Sequence, residues 1–362
     1  MSAFGRPGVA DMDYSGRYRP VRPLRAEDDF NHPVEPHPFF NESRYVHLID
    51  GRQGIGGWFR IGQRANQGFS EMTVCLYLPG GRVGFMFAKP AYVSTGGIEA
   101  AGLRFDFDVP LRQSRLRYAG PVYLLADGAA MEDPRTAFVP QAQVDAEIAL
   151  SFNAVVPAHG GELLGDDGAP FDEGEGRYFA RAHFDQSVRG HGTLRVGGER
   201  WSLDGYGLRD HSWGPRLWQA IPWYRWFPCT FDDGFAICVI VVQKGDGELL
   251  EAGFVHDGGG TLRHVHGVRL QTRYDARNWP TGFTLSFEDD AGRRSQIEGE
   301  VLASVPCRHW RRLPDGRTDK SRIMECMTRF RLGERTGFGM AEYLDHQDPA
   351  DGDVFEGIRA GR

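Results

Sequence analysis

The chain's 362 residues exceed what one hydrophobic core usually organises, so two domains are expected. Its 41% hydrophobic and 25% charged residues describe a globular protein, and 48 glycines imply many turns. A net charge of -7, with no basic stripe or lysine cluster, excludes a nucleic-acid-binding surface. The five cysteines (Cys75, Cys229, Cys238, Cys307 and Cys326) include no C-x-x-C pair, which argues against a disulfide framework or a cysteine-based zinc site and fits a reducing compartment. No apolar leader precedes Pro23, and the longest aliphatic run, Phe235 to Val242, is too short to span a bilayer. A cytoplasmic protein with no membrane span is expected.

In chain order, the first 25 or so residues read as an irregular arm. Arg60, Arg64 and Glu71 then surround an N-terminal strand start, where such groups can enter a cleft or sit on a solvated edge. Leu103 to Val109 reads as a strand and Arg135 to Gln141 as a short helix. In Val144 to Phe152, apolar Val144, Ala146, Ile148, Leu150 and Phe152 alternate with Asp145, Glu147 and Ser151, the pattern of a half-buried strand. Gly160 to Gly176 reads as a glycine-rich acidic loop, and Arg177 to Phe184 as a strand. Leu217 to Ile221 is a second short helical piece. Val265 to Tyr274, Phe283 to Glu288 and Met324 to Leu332 are further strands.

Turn signals at Pro79-Gly80-Gly81, Asp127-Gly128, Asp233-Gly234, Asp257-Gly258 and Asp315-Gly316 separate these segments. The class is all-β and mostly antiparallel. The organisation expected is an irregular arm over 1–28, β domains over 29–190 and 191–350, and a tail over 351–362.

Gly205 to Arg216, spelled Gly-Tyr-Gly-Leu-Arg-Asp-His-Ser-Trp-Gly-Pro-Arg, is the densest chemistry in the chain. Its glycines and Pro215 suggest a shaped turn or irregular strand end that gathers Asp210, His211 and Trp213 on a pocket. A carboxylate beside an imidazole and an aromatic wall suits acid/base work on an apolar molecule. Tyr206 and Arg216 are candidate substrate contacts in the same segment. Trp218, Trp223, Tyr224, Trp226 and Phe227 follow, either as a cavity wall or as core.

The spelling Gly-x-Arg-Asp-His-Ser-Trp-Gly-x-Arg resembles the signature of the AttH-like and carotenoid 1,2-hydratase-like proteins. The likeness extends to His183-Phe184-Asp185-Gln186, to Trp58 through Gly68, and to Gly337 through Tyr343. It implies two lipocalin-like antiparallel barrels. It also implies hydration, cyclisation or lipid carriage, without a cofactor. His211 and Trp213 match the family's motif directly. The family's downstream Tyr-x-Asp falls at Phe231-Asp232-Asp233, where phenylalanine replaces the phenol.

Other chemistry is thin. His264-x-His266, with His256 nearby, fixes no third metal ligand, so no metal is expected. Ser212 beside His211 is not a triad, and no G-x-S-x-G elbow, dinucleotide fingerprint or P-loop is present. Glu342 and Tyr343 offer an acid and a phenol on opposite strand faces.

The expected activity is a cofactor-independent lyase or isomerase on a terpenoid, steroid-like or aromatic molecule. Asp210 or Asp232 would be the acid, His211 the orienter or base, and Trp213 a π face for developing positive charge. Tyr206, Arg216, Trp218, Trp223, Trp226, Arg60, Glu71 and Tyr343 would contact substrate. The alternative is a non-catalytic carrier of hydrophobic metabolites, with buried Arg–Asp pairing as the purpose of the segment. A homodimer is compatible with the sequence.

Overall fold

Period-two alternation fixes which side of a strand is apolar, and in this chain it does so along almost every segment. The structure is a computed structural model that describes residues 10–12, 18–94, 96–165, 167–171, 180–243, 249–312, 316 and 318–347. Residues 1–9 and 13–17 of the expected arm, the tail 351–362, Asp315 of its turn, and residues 166 and 172–179 of the expected loop and strand lie outside them.

The first unit contains β1 (Phe40–Asp50), β2 (Ile55–Arg64), β3 (Phe69–Tyr77) and β4 (Val83–Ala88). It continues with β5 (Gln113–Leu125), β6 (Gln143–Ala154), β7 (Ala182–Val196) and β8 (Glu199–Pro215). Each pairs antiparallel with the next, and β8 pairs back onto β1, so the eight strands form a closed ring. Closure removes the free edges that an open sheet would expose. Where β4 leaves β5, the strand Leu103–Val109 takes over the pairing.

The second unit holds β9 (Trp223–Phe231), β10 (Ala236–Gln243), β11 (Leu249–His256) and β12 (Leu262–Tyr274). It adds β13 (Pro280–Asp289), β14 (Arg294–Arg312), β15 (Thr318–Leu332) and β16 (Arg335–His346). They close into an eight-stranded antiparallel barrel in chain order. The all-β, two-barrel expectation therefore holds. No helix among the described residues is long and apolar enough to cross a membrane.

The units divide between Arg216 and Leu217. The sequence reading placed the boundary near residue 190, but β7 runs unbroken through Gly190 and β8 is the strand that closes the first ring. Ala146, Ile148, Leu150 and Phe152 join Val46, Leu48, Phe59, Ile61, Val74 and Val188 in the first barrel's core, as the alternation required. In the second barrel Phe227, Phe283 and Phe330 meet across the interior, with ring centroids 4.6 and 5.5 Å apart. The short helical pieces are α1 (Pro134–Ala137) and a 3-10 turn at Trp218–Ala220.

The dense segment is not a turn. It runs along β8, a 17-residue strand, to its end at Pro215, with Arg216 just beyond, and only Gly214, at φ 105°, needs the left-handed region. Gly207 serves close approach instead: a Cβ there would stand 1.8 Å from the His47 carbonyl oxygen. Gly207→Ala is expected to cost about 3 kcal/mol by forcing β8 away from β1. Urea denaturation measures this, and an unchanged midpoint would show that the strands part freely.

Candidate functional site: two faces of one strand

Neighbours in a strand point to opposite sides, and the register of β8 shows which way each goes. Arg209, His211 and Trp213 stand opposite Val46, Arg44 and Glu42 of β1, on the face that Val46 and Leu48 carry into the core. Asp210 stands opposite Tyr45 of β1 and Asp185 of β7, on the outer face. The acid and the imidazole that the sequence reading paired are on different sides of the barrel wall.

Inside, His211 Nδ1 meets the backbone carbonyl of Asp28 at 2.7 Å, and Nε2 meets Glu42 Oε1 at 2.5 Å. His32 places Nδ1 3.1 Å from the same Glu42 oxygen and Nε2 3.2 Å from Asp28 Oδ1. Trp213 stacks on His32, centroids 4.0 Å apart and planes within 13°. Arg44 lies 3.4 Å from Glu42 Oε1 and also donates to Asn31 Oδ1 and to the Asp29 carbonyl. Arg209 donates to Asp29 Oδ1 at 2.6 Å and to Gln186 Oε1 at 2.8 Å.

Burial, seconded by the Arg44 charge, pushes His211 down to about 4. For Glu42, burial acts upward, but His211, His32 and Arg44 prevail and hold the carboxyl well below the usual range. The void lined by Arg44, Phe107, Arg209 and His211 measures about 10 Å³, room for about one water.

Outside, Asp210, Asp185 and His183 converge, their ligand atoms all within 4.8 Å. His183 Nε2 lies 3.2 Å from Asp185 Oδ2. The register continues the row from Asp210 through Tyr45 to Arg60. Arg60 and Arg64 reach Glu71 at 3.3 and 3.6 Å, Arg64 donates to the Arg216 carbonyl, and Arg216 donates to Ser212 Oγ at 2.7 Å.

Burial lifts the Asp210 carboxyl to about 6, and the neighbouring Asp185 charge adds to this against His183, Arg216 and Arg60. Burial works to lower His183, but Asp185 and Asp210 outweigh it and carry the imidazole to about 9. With 43% of its side chain exposed, His183 is screened by water.

Of the residues chosen from sequence, Asp210, Arg60, Glu71 and Arg216 share this outer face. Tyr206 lies four positions along β8, under the Arg189 guanidinium at 5.7 Å. Apart from His211 and Trp213 on the inner face, the others belong to the second unit and are spread over it. Trp223 and Tyr343 point into its barrel beside Arg225, and Trp226 points outward, donating to Cys238 Sγ at 3.1 Å. Trp218 stacks on His309 at 4.7 Å, and Asp232 is exposed in the turn after β9. Glu342 and Tyr343 do take opposite faces, Glu342 accepting from the Tyr224 hydroxyl and Tyr343 lying 3.4 Å from Thr272 Oγ1. His256, His264 and His266 form no metal-competent group among the described residues.

The sequence reading assigned no role to His183 or Asp185, and it missed Asp28, Asp29, His32, Glu42 and Arg44. Glu42 and Arg44 carried a signal, because both fall on the same alternation as core residues Val46 and Leu48. A larger cleft of about 900 Å³ lies elsewhere on the unit, among Pro90, Val93, Arg104, Arg117, Arg195 and Arg200.

Two closed antiparallel barrels, the first carrying this motif strand, define a tandem lipocalin-like fold. Residues 25–347 match the model of a domain of unknown function, DUF7064, and the chain belongs to that family.

A protein of the AttH type from Nitrosomonas europaea is similar in fold at 15% identity and a TM-score of 0.57, over 87% of this chain and 98% of that one. Kievitone hydratase from Nectria haematococca matches at 9% identity and 0.53, over 89% and 93%. CghA in complex with Sch210972 matches at 11% and 0.51, over 85% and 88%. These likenesses are of fold. No curated protein matches the sequence.

Proposed function

We propose that this chain is a proton-transfer enzyme of the hydratase, dehydratase or isomerase type acting on a hydrophobic small molecule, with Asp210 and His183 as its working pair. The observation that carries this is the convergence of Asp210, His183 and Asp185 on the outer face of the first barrel. Asp185 stands against the His183 ring nitrogen and steadies it in its protonated form, which makes His183 the donor.

In the dehydration direction Asp210 takes a proton from substrate carbon, the C–H electrons form the double bond, and His183 protonates the departing hydroxyl, which leaves as water. Hydration is the reverse. Arg216 and Arg60 flank the pair and offer anchors for a substrate hydroxyl or carboxylate. The fold shared with kievitone hydratase is in keeping with this chemistry.

Mass spectrometry of small molecules retained by the purified protein identifies the substrate class. Asp210→Asn and His183→Gln are then each expected to slow turnover by about 10²–10⁴-fold while remaining folded. Wild-type rates in both would dispose of the assignment.

The buried Arg209–Asp29 pair favours a second reading, a carrier in which the motif strand is a structural anchor. In that case both variants retain ligand and no preparation turns it over.

A further inference from the structure

The inner cluster turns two imidazoles on one carboxylate oxygen. The Asp28 carbonyl can only accept, so His211 Nδ1 carries hydrogen and Nε2 is turned to Glu42 Oε1. His32 repeats the arrangement, with Nε2 against Asp28 Oδ1 and Nδ1 against the same Glu42 oxygen. Two imidazole nitrogens and a carboxylate oxygen thus converge, all within 4.8 Å of one another.

Filling both contacts with protons would make two imidazolium rings with centroids 5.5 Å apart and set the Arg44 guanidinium beside them. One divalent cation in place of those protons would take all three atoms as ligands.

We propose that His32, Glu42 and His211 form a binding site for a divalent transition-metal ion of the zinc type. Two imidazoles with one carboxylate are a donor set that suits such ions, at about 2.0–2.2 Å per bond. The surroundings are those of a metal site as well. Each ligating ring is oriented through its far nitrogen, and one residue, Asp28, does this for both, with its carbonyl for His211 and its carboxylate for His32.

Trp213, stacked on His32, covers the group from one side. The ion would tie the segment after the Ala26–Asp29 turn to β1 and β8. This inference does not depend on the reaction proposed for the outer face.

The test is titration of the chelator-stripped, full-length protein with Co²⁺, read by its visible absorption, followed by displacement with Zn²⁺. One equivalent is expected, with a four-coordinate spectrum and a thermal midpoint that rises with metal. Glu42→Gln and His32→Ala should abolish binding, the latter at a ring that is 17% exposed and so least prone to unfold the chain. Asp28→Asn should weaken it about 10- to 100-fold.

The outer group, His183, Asp185 and Asp210, could also attract a metal, so Asp210→Asn is the control. Binding that survives there and vanishes in Glu42→Gln supports the inner site. No binding by the wild-type chain, or binding lost in Asp210→Asn and kept in Glu42→Gln, overturns it.

Discussion

Asp345→Asn is expected to destabilise the second barrel by about 3–5 kcal/mol. Arg225 points into that barrel and is almost wholly inaccessible, as is Asp345. Its Nη1 donates to the carbonyls of Tyr224 and Leu344, both at 2.8 Å, and its Nη2 to Asp345 Oδ1 at 2.7 Å. The guanidinium also stands 5.0 Å from the Tyr343 ring and 5.2 Å from Trp223.

Burial opposes the charge, but the Asp345 carboxylate more than offsets it and raises Arg225 above its usual range. Without that carboxylate the cation keeps its desolvation cost and loses its partner. Urea unfolding followed by tryptophan fluorescence reads the effect through Trp223. Replacing both residues, Arg225→Met with Asp345→Leu, should recover most of the loss, since an apolar pair of similar volume carries no desolvation cost. A single variant that unfolds at the wild-type midpoint would show that the pair is not the barrel's anchor.

Acidification should weaken the first barrel from about pH 6.5 downward, with His47 as a leading cause. Burial alone pushes this imidazole down to about 3 from its ordinary 6.5, and its Nδ1 has no hydrogen-bond partner. Above pH 6.5 neither the folded nor the unfolded chain protonates it, so stability is flat. Between 6.5 and 3 the unfolded chain binds a proton that the folded chain refuses, so stability falls with pH and levels off below 3.

At about 1.4 kcal/mol per pH unit the full loss approaches roughly 5 kcal/mol. His211, also lowered by burial, adds to the slope. The readout is therefore the difference between wild type and His47→Leu, measured by urea midpoints from pH 7 to 4.5, above the range where the depressed carboxylates respond. Parallel slopes in the two proteins would clear His47 of the effect.

The strands were legible because their signal is local. Ala146, Ile148, Leu150 and Phe152 announce a buried face without reference to any other part of the chain. The location of the candidate site was legible too, since no other window holds as many reactive side chains as Gly205 to Arg216.

Its geometry was misjudged for two physical reasons. Gly205 and Gly207 suggest a turn by residue type alone, whereas their missing side chains make room for the Ile49 and His47 carbonyls of the adjacent strand. Once the segment is a strand, Asp210 and His211 must part, and each finds partners elsewhere. His211 meets Glu42, 169 positions earlier, and Asp210 meets His183 and Asp185 across β7. Such pairings depend on ring closure, which no local pattern encodes. The unit boundary was misplaced for the same reason, because β8 looks like the start of a new domain until β1 claims it.

The return of β8 to β1 also constrains how the polypeptide is made. Trp213, the register partner of Glu42, belongs to the last strand of its ring, so the nascent first barrel remains an open sheet until the ribosome has passed that point. At about 5–20 residues per second, the 169 positions between Glu42 and His211 correspond to roughly 8–35 s of synthesis. During that interval β1 lacks its final neighbour, and its burial inside the finished ring gives no protection. Chaperone demand should therefore peak before Pro215 emerges, and truncations ending short of β8 should aggregate however sound their remaining sequence.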